Sequence, residues 1–223
     1  VVLPKHILGT FDEALSDLRK DLLTMAGLAE RSLYRAINGL LQRDDSLCAN
    51  AIADDEEVDQ LEKQIDKASH EILVRYQPVA SDLRQVISTI KLSSNIERVA
   101  DEATNIAGRA RKLNRHPSLA EVNLVVPIQA HATSMFKDSI NSFVREDVEL
   151  ARAVVSRDKQ LDNMNGSANR QLTERMMQDR DQLRGYLNLI LISRCLERIG
   201  DHATNIAEDA VYAAAAEDIR HQS

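Results

Sequence analysis

Glu97-Arg-Val-Ala-Asp-Glu-Ala-Thr-Asn-Ile-Ala107 recurs at an offset of 100 as Glu197-Arg-Ile-Gly-Asp-His-Ala-Thr-Asn-Ile-Ala207, with eight of eleven positions identical. Two copies this alike within 223 residues indicate a duplicated unit. The repeat extends upstream. Leu83-Arg84 matches Leu183-Arg184 and Ser93 matches Ser193 at the same offset. Asp55, Val58, Asp59 and Glu71 match Asp158, Leu161, Asp162 and Glu174 at an offset of 103. The three-residue change falls between the second and third helices expected in each copy, where a turn can absorb it.

Each copy reads as three helices. Leu15, Leu18, Leu22, Met25, Leu28, Ala29, Leu33, Ala36, Ile37 and Leu40 keep helical spacing. Thr10-Phe11-Asp12-Glu13 predicts a capping box in front of them, with Thr10 as N-cap. Arg43-Asp44-Asp45 predicts a turn. A second helix follows through Leu47, Ala51, Val58, Leu61, Ile65, Ala68 and Ile72. It stops before Gln77-Pro78, because the residue before a proline is pushed out of helical geometry. Ser81 is the expected cap of a third helix running to about Leu113, and His116-Pro117 closes that half. In the second half Ser118-Leu-Ala-Glu121 predicts another capping box, and Pro127 a kink or restart. Three helices should end near Arg145, near Gln178 and in the alanine-rich tail around Ala216, with Gly166 weakening the middle one. The fold class is therefore all-α: two tandem three-helix bundles, residues 1–116 and 117–223, related by a pseudo-twofold.

Composition agrees. With 43% hydrophobic residues the chain can bury a core, and 7 Gly, 4 Pro and 3% aromatics favour helices over strands. A net charge of -7 leaves no basic footprint, which excludes nucleic acid as the primary ligand. Cys48 and Cys195 form no CxxC motif and read as small buried groups in a reducing compartment. The longest apolar run, Ala210 to Ala216, is far short of the roughly 20 residues of a membrane span. No signal-peptide pattern opens the sequence. A cytoplasmic location is expected, with membrane association only through partners. There is no Gly-rich phosphate loop, GxSxG elbow or Cys-His nucleophile pattern, so no enzyme is expected.

The chemistry lies in four acid-x-x-x-acid pairs: Asp55 with Asp59, Glu97 with Asp101, Asp158 with Asp162, and Glu197 with Asp201. Residues four apart stack on one helix face, and like charges there repel unless something positive intervenes. A hairpin folded about Pro78 sets Asp59 level with Glu97 and Asp55 level with Asp101. A hairpin folded between Asp179 and Arg180 sets Asp162 level with Glu197 and Asp158 level with Asp201. Each stripe borders an apolar arc, so four carboxylates per copy should flank the core. Such a set suits iron, manganese, magnesium, calcium, or zinc with further ligands. The competing reading makes them solvated acids or partners of Arg84, Arg98, Arg184 and Arg198. Thr104, Asn105, Thr204 and Asn205 stand one turn on, as supports for the ligands or as packing polar groups. His202, replaced by Glu102 in the other copy, reads as surface.

With these two motifs and the turn Gln77-Pro-Val-Ala-Ser-Asp-Leu-Arg84, the chain resembles the PhoU family, phosphate-specific transport accessory proteins of bacteria. The resemblance covers nearly the whole chain, including the duplication. It implies multinuclear metal clusters, iron or zinc first, with manganese or magnesium as further candidates. Glu97, Asp101, Glu197 and Asp201 match the acidic motif directly, while Asp55, Asp59, Asp158 and Asp162 correspond less strictly. It also implies a non-enzymatic negative regulator of the phosphate-starvation response and phosphate uptake. Such a homodimer would link the ATPase subunit of a phosphate ABC transporter to a sensor histidine kinase. The alternatives are a carboxylate-bridged metalloenzyme or a metal-storage helical bundle. The lack of any Glu-x-x-His pair speaks against the first.

Overall fold

The computed structural model describes residues 5–220. Among them the chain forms seven α-helices: α1 (Lys5–Leu41), α2 (Asp45–Ala53), α3 (Asp55–Tyr76), α4 (Ala80–Asn114), α5 (Val125–Arg145), α6 (Val148–Gln178) and α7 (Leu183–Ala215). Short 3-10 turns at Ala120–Leu124 and Arg180–Gln182 lead into α5 and α7. The first bundle is α1 to α4 and the second α5 to α7, with α4 and α7 packed on each other and α1 touching α5. Arg84 donates to the Ala213 carbonyl while Arg198 pairs with Glu102, so α4 and α7 run antiparallel. One continuous apolar core runs through both bundles, from Leu18 to Ala213. The repeat motifs lie where α4 and α7 cross. No helix among the described residues is long and apolar enough to cross a membrane.

Helix ends depart from the sequence expectations where a local cap competes with a longer helix. Thr10 lies inside α1, which already starts at Lys5. Ser81 sits in the first turn of α4, whose N-cap is Val79 with no side-chain bond. Ser118 caps nothing, since the chain enters through the 3-10 turn after Leu119. The acids that do cap are Asp44, accepting from the Ser46 and Leu47 amides, its counterpart at the 103 offset, Asp147, accepting from the Leu150 amide, and Asp179, accepting from the Gln182 amide ahead of the second 3-10 turn. The expected second helix is two, α2 and α3, broken at Asp54. The buried Ser32 hydroxyl takes the Ala51 carbonyl at 2.9 Å, the acceptor that an unbroken helix would offer to the Asp55 amide. The matching position in the second half is Met135, which has no hydroxyl, and α6 runs unbroken through Gly166.

Gly200 is required by packing. A Cβ there would run into Leu161 Cδ2 of α6. The matching positions in the first bundle are Ala100 and Val58, both fully buried. The methyl added at one position is removed at the other. Gly200→Ala should therefore lose about 1–2 kcal/mol, the overpacking cost outweighing the helix-propensity gain. Adding Leu161→Val should restore wild-type stability or better in a urea melt. A neutral Gly200→Ala would show that α6 can shift outward freely.

Candidate metal-binding flanks

α3 and α4 bring the acids of the first copy onto one flank. The Asp55 carboxyl is held above its ordinary value by desolvation and then by the charges of Asp101 and Asp59, the two acids expected beside it. Glu97 is pushed up to about 7, by desolvation first and then by Asp101, against Arg98, with Glu62 and Asp59 adding to the rise. α6 and α7 repeat the arrangement. Desolvation and Asp162 raise Asp158. Asp201 is pushed up to about 6 by desolvation and then by Asp158, Glu197 and Asp162. Glu197 rises too, through desolvation and then Asp162. Like charges shift one another this way only at short range. The acids of each copy are therefore near enough to repel one another between α3 and α4 and between α6 and α7. Thr104 Oγ1 donates to Asp55 Oδ1 at 3.4 Å and Thr204 Oγ1 to Asp158 Oδ1 at 3.3 Å, so both threonines support the stripe.

The arginines divide. Arg98 lies 3.2 Å from both Glu97 and Asp101, which bears out the ion-pair reading for that one residue. Arg198 instead reaches across to Glu102 at 3.0 Å. His202 is half-buried, with a partner across the seam. Its Nδ1 meets Asn95 Oδ1 at 3.0 Å between α4 and α7, and burial lowers its pKa. Glu102, its counterpart, is itself buried. Both positions face the partner bundle, which periodicity within one helix does not reveal.

Two residues outside the four pairs shape the flanks. Glu62 continues the Asp55–Asp59 stripe by one turn and is raised by desolvation and then by Asp66 and Asp59. At the 103 offset Glu62 becomes Asn165 and Asp66 becomes Asn169. Asn165 is buried and donates to Glu197 Oε2 at 2.7 Å, while it accepts from Ser193 and from Asn169. The first flank is thus more acidic than the second, where an amide satisfies the motif glutamate. The repeat alignment carries this signal once it is continued along α3.

Does the donor set suit a cation? Glu97 Oε2 is buried without a hydrogen-bond partner, although Arg98 Nε approaches to 3.2 Å. A buried carboxylate oxygen that has an ion pair but no hydrogen bond, within a crowded acidic stripe, is a group a hard cation can still coordinate. Among the described residues, no three His, Cys, Asp or Glu side chains are yet gathered about one ion position. Cation binding would require the carboxylates of a flank to turn inward.

The raised acids have a pH consequence. A carboxyl whose folded pKa lies above its unfolded value binds more protons when folded, so its contribution is full below the unfolded pKa. For Glu97 that contribution is lost as pH rises from 4.5 to about 7, and for Asp201 from 3.8 to about 6. Cation-free protein should lose stability across this window, and Glu97→Gln with Asp201→Asn should flatten the slope. Parallel slopes for wild type and variant in urea melts at pH 5 and 7.5 would remove these two groups as the cause.

Comparison with known proteins agrees with the fold and the duplication. A model of the PhoU domain matches residues 22–110 and again 126–210. The phosphate-specific transport system accessory protein PhoU homolog of Pseudomonas aeruginosa is 38% identical over 220 residues, 98% of this chain and 91% of that protein. The Escherichia coli phosphate-specific transport system accessory protein PhoU is 33% identical over the same span, again 98% and 91%. The crystal structure of PhoU from Pseudomonas aeruginosa superimposes with a TM-score of 0.90 at 38% identity, covering 93% of this chain and all of that one. A PhoU structure from Streptococcus pneumoniae, 24% identical and covering 94% and 99% of the two chains, shares the fold with a TM-score of 0.85. Two domain matches, one per bundle, together with full-length relatives, place this chain in the PhoU family.

Proposed function

We propose that the chain is a non-enzymatic regulator of phosphate transport, acting as its relatives are named to act. The observation that carries this reading is the pair of PhoU domain matches, continued by relatives of accessory-protein name over 98% of the chain. On this reading it is a cytoplasmic homodimer that links the ATPase subunit of a phosphate ABC transporter to a sensor histidine kinase. It holds the phosphate-starvation response silent when phosphate is plentiful. The two flanks then hold iron or zinc, with manganese or magnesium as alternatives. Glu97, Asp101, Asp55 and Asp59 are the ligands on the first flank, and Glu197, Asp201, Asp158 and Asp162 on the second. A bound cluster supplies positive charge beyond that of Arg98 on the first flank. Thr104 and Thr204 orient Asp55 and Asp158, and Asn165 fixes Glu197.

The regulatory claim is tested by affinity capture from cells grown in high phosphate. Recovery of the transporter ATPase and the kinase, with induction of phosphate uptake on deletion, is expected. Recovery of neither, with unchanged uptake, would overturn it. The same capture with Glu97→Ala plus Glu197→Ala separates adaptor from cation: partners retained and metal lost would assign the flanks a separate task.

A further inference from the structure

The two bundles carry the same ion pair with its polarity reversed. In the first, Arg35 Nη1 of α1 lies 2.7 Å from both oxygens of Asp54, at the break between α2 and α3. Arg31 adds a contact at 2.9 Å. The Asp54 side chain is 8% exposed, so it depends on these two partners. In the second, Arg157 Nη1 of α6 lies 2.7 Å from Asp138 Oδ2 of α5. Position 35 matches 138 and position 54 matches 157 at the 103 offset. The same offset relates the capping acids Asp44 and Asp147 and the stripe acids Asp55 and Asp158. Arg31 corresponds to Ser134, whose hydroxyl donates to Asp138 at 3.4 Å. The geometry is common to both halves; the charges have changed places.

A duplicated chain faces a hazard of its own. Its corresponding helices come from one repeated pattern, so each could pack against the other half's partner within one chain or between two. We infer that the reversed pairs mark which helix belongs to which bundle. If α1 docked on α6, Arg35 would meet Arg157. If α5 docked on α3, Asp138 would meet the buried Asp54. Both exchanged contacts set like charge against like charge, one of them in a place that water hardly reaches, whereas both native contacts are matched. Charge adds to the distinction already made by the break at Asp54, which α6 lacks. Asp54 and Arg157 each precede a flank acid, Asp55 and Asp158, but no flank acid takes part in either pair, and refolding yield is read without reference to the proposed function.

The test gives the second bundle the polarity of the first. Asp138→Arg alone sets two guanidinium groups together and should lower the melting temperature. The triple change Ser134→Arg, Asp138→Arg, Arg157→Asp restores a matched pair and should recover the wild-type melting temperature. It should nevertheless refold badly from urea. The fraction returning to the native elution volume should fall about two-fold or more, the rest forming soluble, helical, helix-exchanged species. A triple variant that refolds with wild-type rate and yield would overturn the inference. A triple variant that fails to recover the melting temperature would overturn it too, because polarity would then be set by each bundle's surroundings and not by pairing.

Discussion

Loading the chelator-stripped protein with iron(II) or zinc should raise its melting temperature substantially. A ligand held only by the folded state, at one hundred times its dissociation constant, stabilises by about 2.7 kcal/mol per site. With both flanks filled the gain is about 5 kcal/mol, which for a chain of this size corresponds to about 10–20 °C. The effect should grow with pH between 6 and 8, because protons compete for Glu97 and Asp201, whose carboxyls sit at about 7 and about 6. Glu97→Ala with Glu197→Ala should remove the shift and the bound metal together. The first flank, which has Glu62 where the second has Asn165, should fill at the lower cation concentration. Calorimetry with elemental analysis decides the matter. An equal shift in the double variant would locate the cations elsewhere.

Phe136→Ala should be the most damaging single truncation in the core, at about 3–5 kcal/mol. Phe136 is 1% exposed and lies on α5, where a groove of about 260 Å³ lined by Leu23, Ala26 and Gly27 of α1 marks the seam between the bundles. Truncation there removes contacts from both halves and enlarges a space already present. Neighbouring small residues have little reach to refill it. The corresponding residue of the first bundle is Leu33, equally buried. Phe136→Leu therefore copies a side chain the repeat already accommodates and should cost about 1–1.5 kcal/mol. Chemical denaturation measures both. A loss below about 1 kcal/mol for the alanine variant would mean that the seam closes over the gap.

The cation account and the packing account meet at α4 and α7. These helices carry the motif acids on one edge and the inter-bundle contacts on another. Glu102 and Arg198 bind across the seam one position from Asp101 and Glu197 respectively. A cation on either flank would sit within one residue of these seam contacts. That is a physical route by which cation occupancy could change the surface offered to a partner.

Spacing and duplication were sufficient for the architecture. Apolar residues at helical intervals, Pro78 and Pro117 as stops and the motif repeated at 97 and 197 give two three-helix bundles, because each signal acts within a few turns of its own chain. The approach of the acids of α3 to those of α4 was legible for the same reason: a tight turn keeps consecutive helices side by side, so Asp55 feels Asp101. Tertiary structure alone decided the rest. At the break in the second helix, Ser32 takes a carbonyl 19 residues away and Arg35 holds Asp54. Glu102 and His202 become seam residues through contact with the other half. Arg98 stays with its own acids while its repeat mate Arg198 crosses to the opposite bundle. Periodicity reports which face of a helix is apolar, but a polar side chain takes the partner that packing brings within about 3 Å, and the sequence of one helix does not contain that partner.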